Sequence, residues 1–339
     1  MKIFNEQGFP DFDSITSQAT FIFMILARGT GKTFGALKWA TDNDMKFIYM
    51  RRTQTQLDMI KTPMLNPFLS LERKLGSEYS FIMKPVAKGV TGVFHDDGKE
   101  LICRGYLMAL STISNIRGFD ASDCDVLIYD EFIGEKHEKP IRNEGMAFLN
   151  AIETIGRNRE LEGKKPLKVL CFANSNDLAN PIFIELGLVK YAERIMKKGS
   201  EYALIPERDI CLILSDRSPI SEQKAKTSLY RMAGDSAFTQ MAISNDFSQD
   251  DTEQIRSFSL TGFVPLVAVG EIVIYRHKSD LLYYVTEHMS GHPDTYGSSE
   301  TDIRRFADRY DYLKISYLNK HMFFESYILK VLFQKYICL

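Results

Sequence analysis

The chain has few of the residues that would commit it to several common protein classes. Its five cysteines (Cys103, Cys124, Cys171, Cys211 and Cys338) are scattered over 339 residues without a Cys-x-x-Cys pair, which leaves no disulfide framework and no thiolate metal site. Most lie among apolar neighbours and read as reduced core cysteines of a cytosolic protein. The six histidines are equally dispersed and give no metal-ligand spacing. Charge of one sign is lacking too, because 42 Lys and Arg stand against 44 Asp and Glu. Residues 1–200 carry 27 basic and 25 acidic side chains, and residues 201–339 carry 15 and 19. Neither half is a basic block, so any contact with nucleic acid has to be local, through a groove, a loop or a pore. No apolar run approaches the length of a membrane span, and the N-terminus has no basic region followed by an apolar one. The expected setting is the cytoplasm, with no membrane partner.

What is present is the composition of a soluble globular protein, 45% apolar and 25% charged, in a chain long enough for two domains. Its organising stretch is Leu26-Ala27-Arg28-Gly29-Thr30-Gly31-Lys32-Thr33, preceded by the β-prone run Phe21–Ile25 and followed by a helix-forming segment from Phe34. A strand, a glycine turn and a helix start form the context of a phosphate-binding loop. Gly29 and Gly31 would let backbone N–H groups point at a polyphosphate, Lys32 would reach its β- and γ-phosphates, and the Thr33 hydroxyl would sit on magnesium. Leu26 stands where the usual pattern has its first glycine.

The run Phe47–Met50 reads as a second strand ending in Arg51-Arg52, and a helical pattern follows from Gln54 to Leu75, interrupted by Pro63 and Pro67. Residues 79–84 and 90–107 read as a β insertion with a turn at His95–Lys99. Further strands are expected at 125–129 and 166–172, and helices at 144–155 and from Pro181. Alternating strands and helices with near-continuous apolar strands predict a parallel α/β sheet covered on both faces, with functional groups at the carboxyl ends of the strands. The expected domains are a phosphate-loop α/β domain over 1–200, a polar helical linker over 201–258 and a small β-rich domain over 259–339. The last contains an antiparallel meander of Phe263–Val269, Glu271–His277 and Leu281–Thr286, then a glycine/serine loop over 288–300.

Asp130-Glu131 ends an apolar strand about a hundred residues beyond the glycine loop. Such a pair is either an exposed turn or the other half of a nucleotidase site, in which the aspartate holds magnesium and the glutamate deprotonates water. The glutamate points to hydrolysis rather than transfer to an acceptor, and the lack of an Asn-Lys-x-Asp base-reading motif favours ATP over GTP. Arg157-Asn158-Arg159 follows a helix. It is either a solvated helix end complementing the dipole or a source of an arginine for a neighbouring subunit's γ-phosphoryl group. Asn174, past the fourth strand, is either a turn residue or a hydrogen-bond partner of the γ-phosphate or the attacking water.

Several segments taken together resemble a known family. They are Ala27-Arg28-Gly29-Thr30-Gly31-Lys32-Thr33, Tyr49-Met50-Arg51-Arg52, Ile128-Tyr129-Asp130-Glu131-Phe132-Ile133, Arg157-Asn158-Arg159-Glu160, and Asn174 with Asn180-Pro181. In this order over residues 20–190 they are similar to the genome-packaging, or DNA-encapsidation, ATPases of small tailed double-stranded DNA phages. The resemblance implies an additional-strand, catalytic-glutamate P-loop ATPase with ATP and Mg2+ as its cofactors. It works as a homo-oligomeric ring, commonly a pentamer, on the portal (connector) of a procapsid in the host cytoplasm, and translocates double-stranded DNA. Carried over residue by residue, Arg28 to Thr33 form the nucleotide loop, and Thr33 and Asp130 hold the metal. Glu131 activates water, Arg157 is the arginine finger in trans with Arg159 as its rival, and Asn174 is the sensor. The resemblance further implies a small C-terminal domain like an RNase H-type nuclease without its catalytic acids, with the 263–287 meander as its candidate core. Some relatives also use a structural RNA. Two other readings compete: a terminase-like enzyme whose second domain is an active nuclease, with Glu271, Asp280 and Glu287 as candidate acids, and a nucleotide-binding module without turnover.

Overall fold

A computed structural model describes residues 1–62, 66–96, 98–116, 119–134, 138–174, 177–215, 226–234 and 254–337. The chain forms two compact units, Met1–Asn176 with Ile195–Asp246, and Asp177–Arg194 with Phe247–Leu339.

The first unit is built on a nine-stranded sheet. In chain order its elements are α1 (Phe12–Thr16), β1 (Phe21–Leu26), α2 (Lys32–Asp42), β2 (Phe47–Arg51), α3 (Gln54–Ile60), α4 (Leu69–Leu75), β3 (Ile82–Ala87), β4 (Val90–Asp96), β5 (Leu101–Ala109), β6 (Val126–Asp130), α5 (Glu144–Gly156), β7 (Lys168–Ala173), β8 (Tyr202–Ile205) and β9 (Ile210–Ser215). The strand order is β3-β4-β5-β2-β6-β7-β1-β9-β8. From β5 to β9 every pairing is parallel, with β7 lying between β1 and β6. These inner strands read as unbroken apolar runs because both faces are covered. Alternation along β1 sends Ile22, Met24 and Leu26 into a cluster with Ala36, Leu37 and Ala40 of α2. It sends Phe23 to the other face, against Phe148 of α5 at 6.2 Å between ring centroids.

The expected β insertion is β3, β4 and β5, and because β5 pairs in parallel with β2 it extends the main sheet through the antiparallel β4 and β3. One expectation needs correction. Residues 202–215, expected within a helical linker, are instead β8 and β9, and β9 is paired along its whole length with β1. The run Ile210-Cys211-Leu212-Ile213-Leu214 is as apolar as the other central strands, which is why it belongs in the sheet.

The second unit contains α6 (Pro181–Glu185), the start of α7 (Val189–Lys198), β10 (Phe263–Val269), β11 (Ile272–His277), β12 (Tyr283–Thr286), β13 (Asp294–Tyr296), α8 (Glu300–Arg309), α9 (Tyr312–Leu318), β14 (Met322–Phe324) and α10 (Tyr327–Ile337). The expected meander is β10-β11-β12, antiparallel throughout. The loop expected over 288–300 includes β13, which pairs in parallel with β10, while β14 pairs in parallel with β12. No helix among the described residues is long and apolar enough to cross a membrane.

Gly105 tests how tightly β2 and β5 are joined. It pairs with Phe47, and a Cβ placed on it would lie 2.7 Å from Cδ2 of that ring and overlap the Phe47 carbonyl oxygen. The backbone oxygen cannot move aside, so Gly105→Ala is expected to lower the unfolding free energy by about 1–3 kcal/mol. Urea unfolding measures this, and a variant as stable as the parent would refute the close strand approach.

Candidate active site

The glycine loop joins β1 to α2, and its shape follows from its residues. Gly29 and Gly31 have φ of 75° and 79°, a backbone region in which side chains are strained. The N-terminal segment closes over it, since a Cβ on Gly31 would meet the Phe9 ring at 2.7 Å. Thr30 is buried and its hydroxyl donates to the Ala27 carbonyl at 3.1 Å, while Arg28 is exposed. Leu26 is the last residue of β1, buried and paired with Ser215, so a leucine there lies in the strand rather than in the turn.

Lys32 and Thr33 open α2. The Lys32 ammonium is buried and donates to the carbonyls of Leu26 and Ala27, each at 3.0 Å, and to Asn174 Oδ1 at 2.6 Å. Asn174 directly follows β7, so the strand between β1 and β6 delivers its amide to the loop lysine. The Thr33 hydroxyl donates to Asp130 Oδ2 at 2.8 Å, a contact that bridges 97 residues of sequence. Loop, acid pair and asparagine therefore meet at the carboxyl edge of three adjacent parallel strands.

Tyr49, which was not foreseen as a member of this group, completes it together with Arg51, the last residue of β2. The buried Tyr49 hydroxyl donates to Asp130 Oδ2 at 2.6 Å, and Arg51 Nη1 lies 3.2 Å from the same oxygen. Arg51 Nη2 also pairs with Glu131 Oε2. The register explains both contacts: Tyr49 lies opposite Ile128 and Met50 opposite Tyr129, so Tyr49 and Arg51 share a face with Asp130. The Tyr49-Met50-Arg51 spacing was visible, but the adjacency of β2 and β6 was not.

Glu131 sits just past the strand with φ of 54°, and its amide donates to Asp130 Oδ1 at 3.1 Å. Burial pushes its carboxyl pKa above the usual value, and the nearby Arg51 and Arg28 charges oppose that push. The same burial drives the Tyr49 hydroxyl well upward, so it stays a proton donor to Asp130.

The two candidate arginines lie elsewhere. α5 runs from the carboxyl edge back to the amino edge of the sheet, and Arg157 caps that far end with φ 45° and ψ −133°. Its guanidinium donates to the Phe119 carbonyl at 2.8 Å and lies 3.7 Å from Asp120, with the side chain 39% exposed. Arg159 is buried at 5% and donates to the Lys165 carbonyl at 2.6 Å, to the Cys124 carbonyl and to Asp125 at 3.3 Å. Neither touches the loop of its own chain, and Arg159 is committed to closing the turn in which it lies. In the second unit Asn180 caps α6, accepting from the Phe183 amide at 3.0 Å. There Glu271 precedes β11 and Asp280 follows it, so these acids are separated by a strand of ~20 Å rather than gathered at one point. Asp280 pairs with His277 at 2.9 Å and Glu287 is exposed after β12.

Comparison with known proteins agrees across nearly the whole chain. A family model described as podovirus DNA encapsidation protein (Gp16) matches residues 9–293. The DNA packaging proteins of Bacillus phage PZA and Bacillus phage phi29 are each 24% identical over 351 residues, which covers 96% of this chain and 94% of theirs. Among solved structures, the Phi-28 gp11 DNA packaging motor matches with a TM-score of 0.62 and 17% identity over 98% of this chain and 97% of that one. The bacteriophage Phi-29 viral genome packaging motor assembly matches at 0.61 and 18% over 98% of each chain. The two structural matches establish a common fold. Because the family model spans all but the first eight residues and the last 46, the chain belongs to the podovirus DNA encapsidation protein (Gp16) family.

Proposed function

We propose that this chain is the ATP-hydrolysing subunit of a ring that drives double-stranded DNA through a portal into a procapsid. The observation that carries the reading is a division of labour across one sheet. Lys32, Thr33, Asp130, Glu131 and Asn174 converge at the carboxyl edge, whereas Arg157 stands at the amino edge. β7 between β1 and β6, with a glutamate directly after Asp130, supports the additional-strand, catalytic-glutamate class.

The backbone N–H groups of the loop and Lys32 would hold the phosphates of ATP. The Thr33 hydroxyl and Asp130 carboxylate, 2.8 Å apart, are two hard oxygen donors that fit magnesium, which when bound screens the phosphate charge. Glu131 accepts the proton of the attacking water, and burial makes it a stronger base than an exposed carboxylate. Asn174, already on Lys32, is placed to orient the water or the γ-phosphate. Arg51 holds the two acids in register.

Arg157 cannot reach this group in cis, because α5 carries it ~20 Å away along the helix. It supplies positive charge to the neighbouring subunit instead, which requires a heterologous interface that closes into a ring. Its backbone supports a functional role: a non-glycine residue at φ 45°, ψ −133° costs about 1–3 kcal/mol. DNA is gripped through its phosphates, so binding is independent of sequence and falls with salt. The portal and a structural RNA are the expected assembly partners. The strand-length separation of Glu271 from Asp280 supports a second domain without nuclease activity.

Purified protein is expected to hydrolyse ATP faster with double-stranded DNA than without it. Glu131→Gln should lose ~10²–10⁴-fold in turnover while still binding ATP. Turnover indifferent to DNA would remove the motor from this reading. Arg157→Ala and Arg157→Gly should each lower turnover by about 10³-fold or more at unchanged ATP affinity. Glycine relaxes the backbone, so Arg157→Gly should also be more stable than Arg157→Ala by about 1 kcal/mol. Normal hydrolysis by either variant would rule out the trans-acting arginine.

A further inference from the structure

Arg51 ends β2 and Arg52 directly follows it, and their side chains leave on opposite faces. Arg51 takes the acid pair. Arg52, only 3% exposed, turns to the start of α5, where its guanidinium forms a fork on Glu144 with Nε to Oε1 at 2.7 Å and Nη2 to Oε2 at 2.9 Å. Nη1 pairs with Glu138, which also accepts from Gln56 Nε2 at 2.9 Å. Gly134, three residues beyond Glu131, lies flat against the same guanidinium, and a Cβ there would overlap it. One buried cation thus joins the chain that leaves the acid pair to the first residue of α5.

The far end of α5 is held as firmly. Gly156 closes the helix, Arg157 follows, and Arg159 is tied to the carbonyls of Cys124 and Lys165. Between these two anchorages lies a single continuous helix of 13 residues, with no proline to bend it. The helix therefore fixes the distance and orientation of Arg157 relative to Glu144.

We propose that Arg52 and Glu144 are positioning residues for Arg157, coupling the acid loop of one subunit to the arginine it presents to the next. This rests on the reading of Arg157 as a trans-acting group. The bidentate fork matters to the geometry, because lysine, a point charge, cannot reproduce it.

The test is a complementation of full-length subunits in mixed rings. Glu131→Gln subunits keep Arg157 but cannot hydrolyse, and Arg157→Ala subunits keep the acids but have no arginine to present. Mixing them should restore ATP turnover at junctions where the first donates to the second. Adding Glu144→Gln to the donor should lower the restored kcat at least tenfold without changing KM for ATP. The same substitution in the acceptor should lower it less than twofold, which also reports that the variant folds. Arg52→Lys should repeat this asymmetry. Equal losses in both arms, or an insensitive donor arm, would overturn the coupling while leaving the trans-acting arginine in place. A parental mixture without turnover would bring down the trans-acting reading and this inference together.

Discussion

Much of the first unit depends on one carboxylate. Asp130 closes β6, and its Oδ2 receives the Thr33 hydroxyl, the Tyr49 hydroxyl and Arg51 Nη1 within 3.2 Å. Those three groups come from α2 and β2, which the sequence separates from Asp130 by about eighty to a hundred residues. A charged acceptor this buried, at 7% exposure, is tolerated only if donors surround it, and three are in place. The glycine loop, the acid pair and the end of β2 are therefore held by the same interaction, and none of them is free to drift from the others.

The sheet converts this local knot into a division between its two edges. Parallel strands collect the loop, the acids and Asn174 at their carboxyl ends, while each crossover helix returns to the amino edge. α5 makes that return between β6 and β7, and Arg157 emerges where it ends. A group that belongs to the proposed chemistry but sits on the wrong edge for its own site is suited to a neighbour. The two arginines at the end of β2, Arg51 in the strand and Arg52 just past it, stand at the junction, one on the acids and the other on the helix that leads away from them.

Some of this was legible because it is local. The strand-turn-helix at 21–40, the acids ending the run 126–130 and the meander of 263–286 are periodicities and turns that a single segment carries. The arginine pair at 157 and 159 shows the limit. Both are basic residues after a helix, yet one side chain is 39% exposed and the other 5%. The difference comes from the carbonyls of Cys124 and Lys165, which only the folded chain brings to Arg159. Residues 210–214 show another limit: a short apolar run looks alike as strand or helix until β1 offers an open edge.

The sequence by itself determined what its strongly patterned segments become: a glycine turn that needs positive φ, strands apolar enough to be buried on both faces, and a helix long enough to cross the sheet. Those properties depend on neighbours a few residues away. Which strands lie side by side was decided only by the tertiary structure. Placing β2 against β6 brings Tyr49 and Arg51 to Asp130, and inserting β7 between β1 and β6 brings Asn174 to Lys32. Strand order is set by how all the apolar faces are buried at once, and no single segment contains that information.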